Sequence, residues 1–194
     1  MTAERFALGF RVKSGFAIAV ALAAPAAAPT PLARVVVALS DPKVKGTKQP
    51  FHDGFGTAQE DQAEIARLVT IIERCARESV DALLAEARLS GRRCRRAGLV
   101  VGSVIDPAKV GNLHIRAHAN EGRLFRTVLA DALAARQIAC DVIVDKTLGA
   151  ASAKALKRTP AQVAKALGEF GRALGGPWRA EEKAAAAAAW MALR

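Results

Sequence analysis

Tyrosine is absent from this 194-residue sequence, and aromatic residues together make up only 5% of it. So few rings offer few faces for base stacking, and any nucleic acid bound here is expected to be held by its phosphate backbone. Cysteine is scarce as well. Cys75, Cys94 and Cys140 are odd in number and have no C-x-x-C spacing, which excludes a disulfide framework and a cysteine zinc site. Reduced thiols in a cytoplasmic protein are the expectation. No apolar run reaches the roughly 18 residues of a membrane span, so no membrane partner is expected. The glycines form no G-x-x-x-x-G-K-[ST] phosphate loop, and no nucleophile elbow surrounds Ser14. Acids are outnumbered, 18 against 29 lysines and arginines, for a net charge of +11. That balance favours polyanions: nucleic acid first, then an acidic membrane surface or an acidic protein.

What is present reads as one globular domain over residues 1–194, because 52% of the residues are hydrophobic and 24% charged. Phe6, Leu8, Phe10 and Val12 alternate as a half-buried strand does. Phe16 to Leu22 is almost continuously apolar, and Arg34 to Leu39 is a third, β-branched run. Arg11 and Lys13 ahead of an apolar stretch, with Ala26-Ala27-Ala28 behind it, share the outline of an export signal. The strand-like alternation, Glu4 and Pro25 favour strands joined by a turn instead. Lys13-Ser14-Gly15 makes the first turn, and Pro25, Pro29 and Pro31 stiffen the second connection. Asp41 to Gly56 is an irregular loop carrying Lys43, Lys45, Lys48, Phe51 and His52, with Phe55 beyond.

Thr57-Ala-Gln-Glu60 has the form of a capping box. A long helix is predicted after it, ending near Ser90-Gly91. Leu99 to Ile105 predicts a buried strand, roughly Arg116 to Arg136 a helix, and Cys140 to Val144 a short strand, together a parallel crossover unit. Thr159-Pro160 starts a further helix, and Gly175-Gly176-Pro177 ends it. The last helix, about Trp178 to Leu193, is nearly all alanine, which suits close approach to a sheet.

Leu8-Gly9-Phe10-Arg11-Val12-Lys13-Ser14-Gly15 resembles the Gly-hydrophobic-Asp-x-Gly opening, with Lys-Ser in one branch, of the RuvC-type Holliday junction resolvases and their YqgF-type relatives. Leu99-Val100-Val101-Gly102-Ser103 is similar to their apolar fourth strand. Glu181-Glu182-Lys183 with the alanines after it looks like their final Asp-x-x-Asp-Ala helix. The resemblance implies a ribonuclease H-like α/β fold: a central mixed five-stranded sheet, three antiparallel strands then two parallel, flanked by helices. It also implies nucleic acid, structured or double-stranded, as partner, and leaves a homodimer open.

The resembled family cuts phosphodiesters with two divalent metals held by clustered carboxylates. Here Arg11 stands at the first-strand ligand position, Gly102 or Ser103 at the fourth-strand one, and the second acid of the final motif falls in alanine. A cation at Arg11 would repel Mg²⁺. The expectation is a nucleic-acid-binding domain without the ordinary two-metal activity, bound through Arg11, Lys13, Lys146, Lys154, Lys157 and Arg158. Arg92-Arg93-Cys94-Arg95-Arg96 reads as a solvated loop or a second phosphate patch.

The alternative is an unorthodox metal-dependent nuclease or phosphoesterase using Asp106, His118, Glu121 and Glu182. Its metal, Mg²⁺ or Mn²⁺ in a catalytic reading, would sit on Asp106, His118 and Glu121. His114 lies four residues before His118, a spacing that puts both imidazoles on one helix face if the helix starts early enough and that also suits zinc. Asp106 before Pro107 has a competing reading as a turn former. A protein-interaction scaffold is the third possibility.

Overall fold

Arg5–Lys13 (β1), Phe16–Ala23 (β2) and Thr30–Ala38 (β3) form an antiparallel meander, and Arg93–Val101 (β4) and Ala139–Val144 (β5) extend it in parallel. The sheet order is β3-β2-β1-β4-β5. This computed structural model describes residues 4–54, 57–86 and 88–194; Phe55 and Gly56, from the irregular loop of the sequence, lie outside them. The mixed sheet has the three-plus-two arrangement expected of the ribonuclease H-like class.

Alternation sorts the strand residues into two cores. Phe6, Leu8, Phe10 and Val12 face the same way as Ala17, Ala19, Ala21 and Leu99, and are covered by Gln62–Leu84 (α1) and Leu113–Ala134 (α2). Ala7, Ile18, Val20, Leu22 and Val100 point to the other face. There Asp145–Leu156 (α3), Pro160–Leu174 (α4) and Ala180–Ala192 (α5) cover them. Burying both faces suits a sheet whose central strands are apolar at nearly every position.

The alanine helix packs as its composition predicts. Gly9 and Gly98 are paired neighbours on β1 and β4, and both lie directly beneath α5. A Cβ on Gly9 would collide with the Ala185 carbonyl and the Ala189 amide, and one on Gly98 would come within 2.8 Å of the Ala188 methyl. Two glycines and a run of methyl groups thus let helix and sheet backbones approach.

Several boundaries differ from the sequence expectation. The N-cap of α1 is Asp61, whose carboxylate accepts from the Ala63 and Glu64 amides, and not Thr57. The helix ends at Leu84, before Ser90-Gly91. β3 starts at Thr30 and includes Pro31, which an edge strand tolerates at an irregularity in register. β4 begins inside the arginine run and stops at Val101, because neither β1 nor β5 extends far enough to pair Val104 and Ile105. α2 begins at Leu113, capped by Asn112, so His114 lies within the helix. α3 has no counterpart in the sequence expectation. Its sequence, with Gly149 inside and only Leu148 and Ser152 buried, carries almost no apolar stripe. α4 starts as expected, with the Thr159 hydroxyl as cap and Pro160 in the first turn, and Gln162 completes a capping box.

Candidate functional site

In open sheets of this kind ligands gather beyond the carboxyl ends of the parallel strands. At that end of β1 stands Arg11, its side chain 12% exposed. One guanidinium nitrogen is 3.0 Å from Asp145 Oδ2, at the start of α3, and the other approaches the Val100 carbonyl. Lys13 Nζ lies 3.7 Å from Glu181 Oε1, at the start of α5. The centre of the sheet end is therefore a guanidinium and an ammonium, each facing one acid. A cleft of about 280 Å³ opens here, lined by Arg11, Lys13, Ser14, Ser103 and His118. Asp145 and Glu181, the two acids here, are each paired with a cation. Glu181 belongs to the final-helix motif of the sequence, whereas no motif marks Asp145.

A second, larger cleft of about 710 Å³ lies against the loop after β3. Its rim carries Lys43, Lys45, Lys48 and Arg67, with His52 among the lining residues. The loop is folded back on itself. The Thr47 hydroxyl donates to the Asp41 and Val44 carbonyls, and Ser40 Oγ donates to the Gly15 carbonyl in the β1–β2 turn. The loop therefore sits at the same end of the sheet as Lys13.

His52, His114 and His118 meet between these clefts. Their ring centroids are 4.5 to 5.2 Å apart. One ligand atom from each can be chosen so that all lie within 4.8 Å of one another. Nε2 of His118 is 3.3 Å from Nε2 of His114, as helical i, i+4 spacing allows. Glu121, fully buried on the same face of α2, accepts from His52 Nδ1 at 2.6 Å, and its other oxygen lies 3.6 Å from His118 Nδ1. Burial pushes the Glu121 carboxyl above its ordinary range, against the pull of the hydrogen bond to His52.

The residues singled out from sequence separate accordingly. His118 and Glu121 come together. Asp106 does not join them: its Oδ1 accepts from the Ala108 amide and caps the short turn Pro107–Lys109, the turn-former role. Glu182 is on the opposite face of the sheet from α2. It is buried, paired to Arg34 at 2.6 Å, and its Oε2 accepts from the Arg179 amide at the start of α5. The expected four-residue set is thus split by the sheet. His52 stands in the irregular loop of the sequence with no ligand role expected of it. The signal available was composition, since His52, His114 and His118 are the only histidines in the chain.

The six expected binding cations are also divided. Arg11, Lys13 and Lys146 stand at the carboxyl end of the parallel strands. Arg158 donates to the Ala27 carbonyl at 2.8 Å and lies 5.2 Å over the Trp190 ring. The neighbouring Ala24 amide donates to the Arg5 carbonyl, which places that group at the start of β1. Lys157 is beside it, about 20 Å from Arg11 by the rise of β1, and Lys154 is one turn earlier on α3. In the arginine run, Arg92 pairs with Glu4 and Arg96 with Asp141 on the strand side of the same far end.

No protein-family model matches the sequence, and no curated protein does. Among solved structures the chain is similar to Thermus thermophilus RuvC in complex with a Holliday junction substrate, at a TM-score of 0.54 and 12% identity. The match covers 96% of this chain and 91% of that one. A second structure of Thermus thermophilus RuvC matches at the same score and identity, over 96% and 92%. Among the described residues no helix is long and apolar enough to cross a membrane. Strand order, the parallel β1–β4–β5 half and the helices on each face together give this chain the ribonuclease H-like fold in the form seen in RuvC.

Proposed function

We propose that this protein binds structured or double-stranded nucleic acid across the carboxyl end of its parallel strands and does not cut it by the two-metal route. The observation that carries this reading is Arg11, a guanidinium 3.0 Å from Asp145 at the sheet centre, where paired divalent cations would need uncompensated carboxylates. Lys13 answers Glu181 in the same way. Around that centre Lys43, Lys45 and Lys48 rim the larger cleft, and Lys146 stands exposed after β5. Backbone contact is the expected mode, because phosphates are read by arginine and lysine without regard to sequence.

Replacing Lys43, Lys45 and Lys48 together with alanine is expected to weaken binding of duplex and branched DNA by the same factor, whatever the sequence. The slope of log affinity against log salt should shrink by about 0.9 for each phosphate that is no longer neutralised. Unchanged affinity and slope in this variant would reject the surface.

A second reading, metal-dependent phosphodiester hydrolysis by groups other than clustered carboxylates, is favoured by His118, which lines the Arg11 cleft and touches two further histidines. Branched and linear substrates incubated with Mg²⁺, Mn²⁺ or Zn²⁺ test it. Cleavage that disappears in His118→Ala supports it, and no cleavage with any of the three ions rejects it.

A further inference from the structure

The chain has three histidines, and all three meet at one point, one from the loop after β3 and two from α2. We propose that Nε2 of His52, His114 and His118 forms a binding site for one divalent transition-metal ion, of the zinc class, with Glu121 behind it to orient His52. The site does not rest on the nucleic-acid reading: His52 and His118 border the two clefts, but its ligands are imidazoles and not the cations that hold phosphate.

The distances fit. Two nitrogens on a tetrahedral zinc at its usual bond length stand about 3.3 Å apart, and Nε2 of His114 and Nε2 of His118 are 3.3 Å apart. The third ligand is prepared from behind. The contact between His52 Nδ1 and the Glu121 carboxylate at 2.6 Å assigns the ring proton to Nδ1. Its Nε2 then carries the lone pair, the carboxylate–histidine arrangement that fixes a ligand's tautomer. That Nε2 is buried and has no hydrogen-bond partner, in a side chain only 5% exposed. A buried polar atom left without a partner destabilises the fold, and a metal ion supplies the partner. Asp106, at the cap of its own turn, is not needed.

Ligand chemistry decides which ion. Three neutral imidazoles suit zinc, cobalt or nickel, whereas Mg²⁺ and Ca²⁺ require oxygen. Three protein ligands also leave a fourth position for water, as in hydrolytic zinc centres. Bound metal would tie the loop after β3 to α2, between the two clefts.

The full chain, stripped with chelator and dialysed, is titrated with zinc chloride in the absence of nucleic acid. One zinc per chain by elemental analysis is expected, together with a rise in melting temperature. Cobalt should give the intense visible absorption of a tetrahedral site, and millimolar Mg²⁺ should change neither readout. Glu121→Gln should weaken zinc roughly 10- to 100-fold, and His114→Gln and His118→Gln should each weaken it by more. His118 is exposed and His114 half-buried, so they serve as the test if His52→Gln fails to fold. A folded wild-type protein that takes up no zinc, or folded His114→Gln and His118→Gln variants that bind it as wild type does, would overturn the proposal.

Discussion

Arg34 holds Glu182 through two nitrogens, 2.6 and 3.2 Å from the same carboxylate oxygen, on the face covered by α5. Burial pushes this carboxyl up, but Arg34 and the backbone amides of Arg179 and Glu182 outweigh it, and the group titrates below its ordinary 4.5. Because the folded-state value is the lower one, the pair stabilises the protein fully above about pH 4.5, and that contribution is lost as pH falls through the folded value. Glu182→Gln should therefore flatten the acid limb of a denaturation curve between about pH 5 and 3 and lower stability at pH 7. Glu182→Ala, which leaves a largely buried guanidinium unpaired, should cost about 3 kcal/mol in urea unfolding. An acid limb identical to wild type would show that the pair does not contribute. A sequence names an acid but not its partner, and for this reason Glu182 and Asp106 read as ligands when one is a buried ion pair and the other a turn cap. The place of Arg11 on the first strand was legible, since that strand carried enough pattern to fix the position. His52 was not: it is 69 positions from Glu121, and nothing local marks a loop histidine for a helix it meets only in the folded chain.

At the level of elements, the tightest fit is α5 against β1 and β4. Gly9→Ala puts a methyl group into the Ala185 carbonyl and Ala189 amide, backbone atoms that cannot rotate away. A loss of about 3 kcal/mol in thermal or urea unfolding is expected, at the upper end of ordinary overpacking. Gly149→Ala, with nothing within 4 Å of the added carbon and a helical backbone, should instead raise stability by up to about 1 kcal/mol. The alanine tract announced this helix and its close packing because composition alone implies a thin, two-sided contact. α3 stayed hidden for the opposite reason: its lysines and small residues give no apolar period, and its place is set by Leu148 and by the helices around it. Strand ends depart from the hydrophobic pattern where pairing decides them. Arg93 is in a strand because Arg5 lies beside it, while Ile105 is outside one because nothing does.

Across the whole molecule the cations singled out from the sequence are divided between two ends of one sheet. Arg11, Lys13, Lys146 and the lysine loop share the carboxyl end; Lys154, Lys157 and the arginine run share the other. A nucleic acid seated on the first end leaves the second untouched. The double variant Lys154→Ala with Lys157→Ala should then bind DNA within about twofold of wild type at physiological salt, while the loop triple variant binds as though several phosphates had been freed. Equal weakening in both, measured by fluorescence anisotropy, would mean that the duplex wraps the molecule or that charge acts only in bulk. Fold class was legible in the sequence because strand order and chirality leave few arrangements for these elements. The division of charge was not, because residues adjacent in sequence along α3 span the depth of the sheet.

The tight seam between α5 and the sheet also limits what this scaffold can become. Ala184 and Ala185, where the resembled motif would place its second acid, are buried at 7% and 0% exposure in spaces that admit a methyl group. A carboxylate put there would be buried within the apolar cluster between α5 and the sheet. Placing a second acid on this helix would thus require rebuilding its seam with the sheet, not exchanging a residue.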